Sequence, residues 1–173
     1  LTPVHYTSAT HTPANVYTTG EDALAANEVN WNANGYRLPT EAEWEKASGG
    51  TLVGNTFPWG NTIGASDANY NSSGDPFEGN SQRTTPVGYY DGGQVIAGVN
   101  RANGYARSDV AGNVFEWCWD WYDDSWYDNA GATTQDTRGP NTASGGRVLR
   151  GGSWFNFLDR PTLRQSPQQH SSV

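Results

Sequence analysis

The 173-residue sequence has one cysteine, Cys118, and no methionine. One cysteine excludes an intrachain disulfide and a cysteine-based zinc site, so cysteine usage fixes no redox compartment. Among aromatic neighbours Cys118 reads as a small buried hydrophobe rather than a nucleophile. No apolar run approaches the roughly 18 residues a bilayer-spanning helix needs. Positive charge is scarce: 10 Lys and Arg stand against 18 Asp and Glu, a net charge of −8 with a pI near 4.6. That balance disfavours nucleic acid or an anionic membrane surface, since either needs clustered cations. Nucleotide-binding spacings such as GxGxxG and GxxxxGK[ST] are absent, and Ser153 lies in GGSW rather than in a GxSxG elbow. His5, His11 and His170 show no HxH, HxxxH or HExxH spacing, so a three-histidine metal site has little support. The chain opens at LTPVHY without Met or a signal-like segment, which places targeting information outside it.

What is present is aromatic. Hydrophobic residues are only 35% and mean hydropathy is −0.75, yet 8 Trp, 9 Tyr and 5 Phe argue for a packed core built of rings. The length suits one domain, and 21 Gly with 9 Pro predict many turns and little regular structure. The densest stretch is DVAGNVFEWCWDWY, residues 109–122. Its rings suit a core anchor. Its carboxylates Asp109 and Glu116 flank a Gly-Asn turn in apolar surroundings, where an unpaired charge costs several kcal/mol. They call for a cation, either Ca²⁺ or an arginine such as Arg150, and the residues alone leave both open.

Elsewhere the signals are local. Val4–Tyr6 and Asn15–Tyr17 look strand-like, and 20–30 carries a thin apolar face for a short helix through Asp22, Ala23, Leu24, Ala25 and Ala26. In YRLPTEAEWEKASGG, Thr40 and Glu43 form a capping box and Gly49-Gly50 a stop, predicting a helix with Ala42, Trp44 and Ala47 inward and Glu41 and Glu45 solvated. Residues 51–103 are turn-rich, and Asp67, Asn69, Asp75 and Glu78 make calcium a reasonable tie for so long a loop. Val148-Leu149 reads as a short strand ending at a Gly-Gly bend. The tail from Leu158 to Val173 has no period. Trp154, Phe155 and Phe157 suit either core packing or an exposed aromatic-plus-polar binding surface.

Four ordered motifs, GYRLPTEAEWEKASGG, FPWGN, DVAGNVFEWCWDWY and RVLRGGSW, closely resemble the formylglycine-generating enzyme family, the sulfatase-modifying-factor domain. The resemblance covers about 34–164. It implies an α+β, C-type-lectin-like fold of the formylglycine-generating-enzyme type, low in regular secondary structure, with short twisted strands and two helices. It also implies structural Ca²⁺, with one site at Asn69, Tyr70, Asp75 and Phe77 and a second at Asp109, Gly112, Val114 and Glu116, the glycine and valine lending carbonyls. Metal thereby moves ahead of arginine as the partner of the carboxylates.

Catalysis in that family depends on a cysteine pair after RGGS that holds copper. This chain has WFNFLDRPTLR there, so the resemblance implies no copper and no oxidase activity. The scaffold is closest in character to another branch, the variable proteins of diversity-generating retroelements, which display hypermutated residues after RGGSW. Here that region holds Trp154, Phe155, Asn156, Phe157, Leu158, Asp159, Thr162, Gln165, Ser166, Gln168, Gln169, His170 and Ser171, with Arg160, Arg164 and Pro167 at more constant positions. The expectation is a single domain, 1–173, lacking the family's first strand and helix and its closing G-F-R strand. It would be a non-catalytic domain binding a protein or other macromolecule through its C-terminal surface, at the cell surface or secreted. The alternatives are an oxidase or accessory acting on a peptide, and a structural surface module.

Overall fold

The computed structural model describes residues 1–20, 23–77, 81–91, 100–142 and 145–156, together with the backbone of His170 and Ser171. Thr40 is extended at φ −67° and ψ 160°; its side chain accepts from the Glu43 amide at 3.2 Å, and the Glu43 carboxylate accepts from the Thr40 amide at 2.8 Å. This reciprocal cap starts helix α1, Glu41–Gly49. Gly50, at φ +61°, ends it by donating its amide to the Lys46 carbonyl at 3.2 Å.

The inward face of α1 differs from the sequence expectation. Trp44 is buried as predicted, but Ala42 and Ala47 are exposed, while Glu41 and Ser48 are buried. The buried arc extends from Trp44 toward Glu41 because a buried cation waits there. Arg150 Nε lies 3.4 Å from Glu41 Oε1, and its guanidinium sits 5.0 Å from the centre of the Trp44 ring. Glu43 and Glu45 are exposed.

Strands β1 (Glu116–Trp121), β2 (Arg147–Arg150) and β3 (His170–Ser171) form one antiparallel sheet in the order β1-β2-β3. Glu116 pairs with Arg150 and Trp117 with Leu149, yet Trp121 pairs with Arg147, so β1 carries extra residues relative to β2. This irregularity breaks the two-residue alternation of a flat strand. It lets Cys118, Trp119 and Asp120 all be buried in succession. Trp119 packs with Val4, Leu24 and Val29, meeting Trp31 edge-on at 5.4 Å, while Cys118 packs with Trp44 and Val148. The core is aromatic in part only, because Trp117 of the same strand is 39% exposed.

The N-terminal pieces pair as isolated bridges, His5 with Val29 and Tyr6 with Val16. The helix expected over 20–30 reduces to a 3₁₀ turn at Ala26–Glu28. Leu24 is drawn out of any helix into the core, and Glu28 accepts from the Ala25 amide at 2.8 Å. Three more 3₁₀ turns occur at Pro13–Asn15, Trp126–Asp128 and Ala130–Thr133. Among the described residues α1 is the one α-helix, where two helices were expected, and none is long and apolar enough to cross a membrane. Among the described residues the architecture is one helix on a small antiparallel sheet, joined by turns and irregular segments.

Candidate functional site

Two loops predicted to bind cations are joined directly. Asn69 and Gly112 form a parallel bridge, the Asn113 amide donates to the Asn69 carbonyl at 2.7 Å, and the Gly112 amide donates to the Gly151 carbonyl at 2.7 Å. Gly112 is required at this junction: its φ is +76°, and a Cβ would collide with the Asn69 carbonyl oxygen. Asp109 at φ +59° and Asn113 at φ +64° bracket it, so the turn before β1 is wound left-handed at three residues. The Asn113 side chain pins a third loop, accepting from the Thr85 amide at 3.1 Å and donating to the Thr85 carbonyl at 3.2 Å.

In the first set, Asn69 is fully buried and its Nδ2 donates to the Arg83 carbonyl at 2.8 Å, yet its Oδ1 has no hydrogen-bond partner. Asp75 is also buried, with Oδ1 accepting from the Phe77 amide at 2.6 Å and Oδ2 from the Tyr90 hydroxyl at 2.7 Å. The Tyr70 carbonyl accepts from the Ser73 amide at 2.9 Å, and the Phe77 carbonyl from Arg83 at 2.7 Å. Asp67 is taken elsewhere, since Arg101 holds its Oδ1 at 2.6 Å and the Gly64 amide its Oδ2 at 2.7 Å. Glu78 lies outside the described residues.

In the second set, Asp109 Oδ2 accepts from the Gly88 amide, while its buried Oδ1 has no hydrogen-bond partner. Glu116 Oε2 accepts from Trp44 Nε1 at 2.7 Å. Burial pushes the Glu116 carboxyl up from its ordinary range, and the negative charge of Asp109 pushes the same way. Val114 is half exposed at the turn. The ion pair made by Arg150 is with Glu41 rather than with Asp109.

The two sets fit a hard cation on donor chemistry, because each contributes a buried oxygen that no hydrogen bond satisfies. Among the described residues no three His, Cys, Asp or Glu side chains gather. A cation here would therefore draw on amide and backbone oxygens as well as carboxylates, as Ca²⁺ does.

The base of the tail is fastened to this junction. The Trp154 amide donates to the Asn113 carbonyl at 2.9 Å, the Asn71 amide to the Asn156 carbonyl at 3.1 Å, and Asn71 Nδ2 to the Phe155 carbonyl at 2.9 Å. Ser153 Oγ donates to Asn156 Oδ1 at 2.5 Å. Trp154 and Asn156 are half-buried, while Phe155, edge-on to Trp154 at 5.5 Å, is 63% exposed. The predicted positions Phe157, Leu158, Asp159, Thr162, Gln165, Ser166, Gln168 and Gln169 lie outside the described residues. For His170 and Ser171 the backbone pairs with Val148 and Arg147 of β2.

Sequence reading missed Asn71 and Asn113 as the links between these loops, since an asparagine in a turn carries no signal of what it will hold. It also missed Asp120 as a partner of α1: its Oδ2 accepts from the buried Glu41 amide at 2.7 Å. Burial above all pushes the Asp120 carboxyl up to about 6. Cys118 is fully buried, and burial pushes its thiol far above the ordinary range, which makes it inert as a nucleophile.

One helix on a small antiparallel sheet, with long loops bridged to one another at Asn69, Gly112 and Asn113, is the frame that the described residues form. The model of the sulfatase-modifying factor enzyme 1-like domain matches residues 5–172, and the chain belongs to that family. It is 41% identical over 140 residues to serine/threonine-protein kinase pkn1 of Chlamydia caviae, covering 76% of this chain and 19% of that protein. It is 40% identical over 127 residues to the formylglycine-generating enzyme of Thermomonospora curvata, covering 70% of this chain and 39% of that enzyme. Among solved structures, Treponema denticola variable protein 1 matches with a TM-score of 0.59 and 36% identity, over 80% of this chain and 43% of that one. The chain thus spans less than half the length of each. Its fold is the C-type-lectin-like fold of the formylglycine-generating-enzyme type.

Proposed function

We propose that this chain is a non-catalytic binding domain whose C-terminal residues, from Trp154 to Ser171, form a variable ligand surface of the kind made by diversity-generating retroelements. One observation carries the reading: the segment after Arg150-Gly151-Gly152-Ser153 contains no cysteine, and the single cysteine, Cys118, is buried in β1. The likeness to a variable protein supports it. The ligand is a protein or other macromolecule, and display at the cell surface or secretion suits that task.

Calcium belongs to the same proposal. Asn69, Tyr70, Asp75 and Phe77 would hold one ion, and Asp109, Gly112, Val114 and Glu116 a second. Bound there, Ca²⁺ would supply the electrostatic partner that buried oxygens otherwise lack. The chain's own groups do the positioning: Asn113 links both loops, and Asn71 and Asn113 hold the backbone on which Phe155 is presented.

The likeness to formylglycine-generating enzymes supports a second reading, an oxidase or accessory acting on a peptide. The two separate in one assay. A cysteine-containing peptide incubated with the protein, copper and oxygen is expected to remain unoxidised, with peptide mass as the readout. Copper-dependent turnover overturns the non-catalytic reading.

A further inference from the structure

A cleft of about 510 Å³ lies between the exposed residues Ala42, Glu43 and Lys46 of α1 and the segment from Ala132 to Arg138. None of its lining residues belongs to the cation-type loops or to the tail. Its floor is Trp31, fixed by its edge-on contact with Trp119 and by an Nε1 hydrogen bond to the Ala26 carbonyl at 2.9 Å. Two arginines lie over this one indole, Arg37 at 4.8 Å and Arg138 at 4.2 Å from the ring centre.

The arginines differ in one respect. Arg37 is completed by a carboxylate: its two terminal nitrogens reach the two Glu43 oxygens at 2.6 and 2.7 Å, a forked pair. Arg138 makes no ion pair among the described residues, although Asp136 lines the same cleft. Lys46, on the wall, makes none either. A guanidinium laid on an indole is held with its planar donor edge free, the geometry that recognises a carboxylate at two points. In a chain of net charge −8, two cations lining one cleft without an ion pair among the described residues form a local exception.

We infer that this cleft binds a carboxylate, with Arg138 on Trp31 taking it as Arg37 on Trp31 takes Glu43, and Lys46 adding charge. The group could come from a free dicarboxylate or from an acidic side chain of a peptide. The site stands apart from the tail surface and does not depend on its assignment.

The test is isothermal titration at low salt of the whole chain with succinate, with hexaglutamate, and with hexaglutamine as the neutral control. Succinate or hexaglutamate is expected to bind and hexaglutamine not to; which of the two binds better distinguishes a free acid from a peptide. Arg138→Gln is expected to weaken binding about tenfold or more, and Arg138→Lys, which keeps the charge but loses the fork, to weaken it as well. Arg107→Gln, an exposed arginine away from the cleft, is expected to leave binding unchanged. Because Arg138 is exposed, its substitution leaves the fold intact, which the melting temperature checks. Absence of binding by both acids, or equal weakening by the Arg138 and Arg107 variants, overturns the inference.

Discussion

Asp120 shows how a single residue couples the helix to the sheet. It is buried, it caps the Glu41 amide, and its carboxyl is pushed up to about 6 against an ordinary value of 3.8. Because the folded-state value lies above the unfolded one, the folded protein binds this proton more tightly. Its stabilising share is present in full below pH 4 and is lost as pH rises through 6. Glu41 and Glu116, both raised by burial, act in the same direction. Melting temperature, measured in EDTA, is expected to rise as pH falls from 7 to 5. Asp120→Asn, which keeps an acceptor for the Glu41 amide, is expected to flatten that rise. An unchanged slope in the variant would assign the effect to other groups.

Among the elements, α1 was the most legible in the sequence, because Thr40, Glu43 and Gly50 act through bonds made within a few residues. Thr40→Ala removes the side-chain acceptor for the Glu43 amide and is expected to cost about 1 kcal/mol in chemical denaturation, with Thr40→Ser nearly neutral. Which face of α1 is buried was not legible. It depends on Arg150, more than a hundred residues later, whose pairing with Glu41 no local pattern encodes. Strand β1 shows the same division: its aromatic run announced a core element, but the register shift that buries Cys118, Trp119 and Asp120 together arises only on pairing with β2. The oxygen-rich turns around Asn69 and Asp109 were visible in the residues, and their assignment as two cation sites came from the family likeness. That the carbonyl of Asn69 would meet Gly112 was not, since a parallel bridge between distant turns leaves no periodic trace.

At the scale of the molecule, little regular structure leaves loop geometry to be fixed by bridges between loops, such as those made by Asn113 and Asn71. If Ca²⁺ completes the Asn69 and Asp109 oxygens, chelation withdraws a ligand that favours the folded state. At a hundredfold excess over its dissociation constant such a ligand contributes about 2.7 kcal/mol. EDTA is expected to lower the melting temperature by roughly 5–10 °C for a domain of this size, with recovery on adding calcium. An unchanged melting temperature would argue against structural calcium.

On the proposed function, the frame is constant and binding is carried by the tail. The most direct measurement is sequencing of the locus in many independent isolates, together with its surroundings. A neighbouring reverse transcriptase and a template copy of the tail are expected, with codon differences confined to the stretch from Trp154 to Ser171 and concentrated at template adenines. A tail as invariant as 34–153, with no such template nearby, would contradict the proposal.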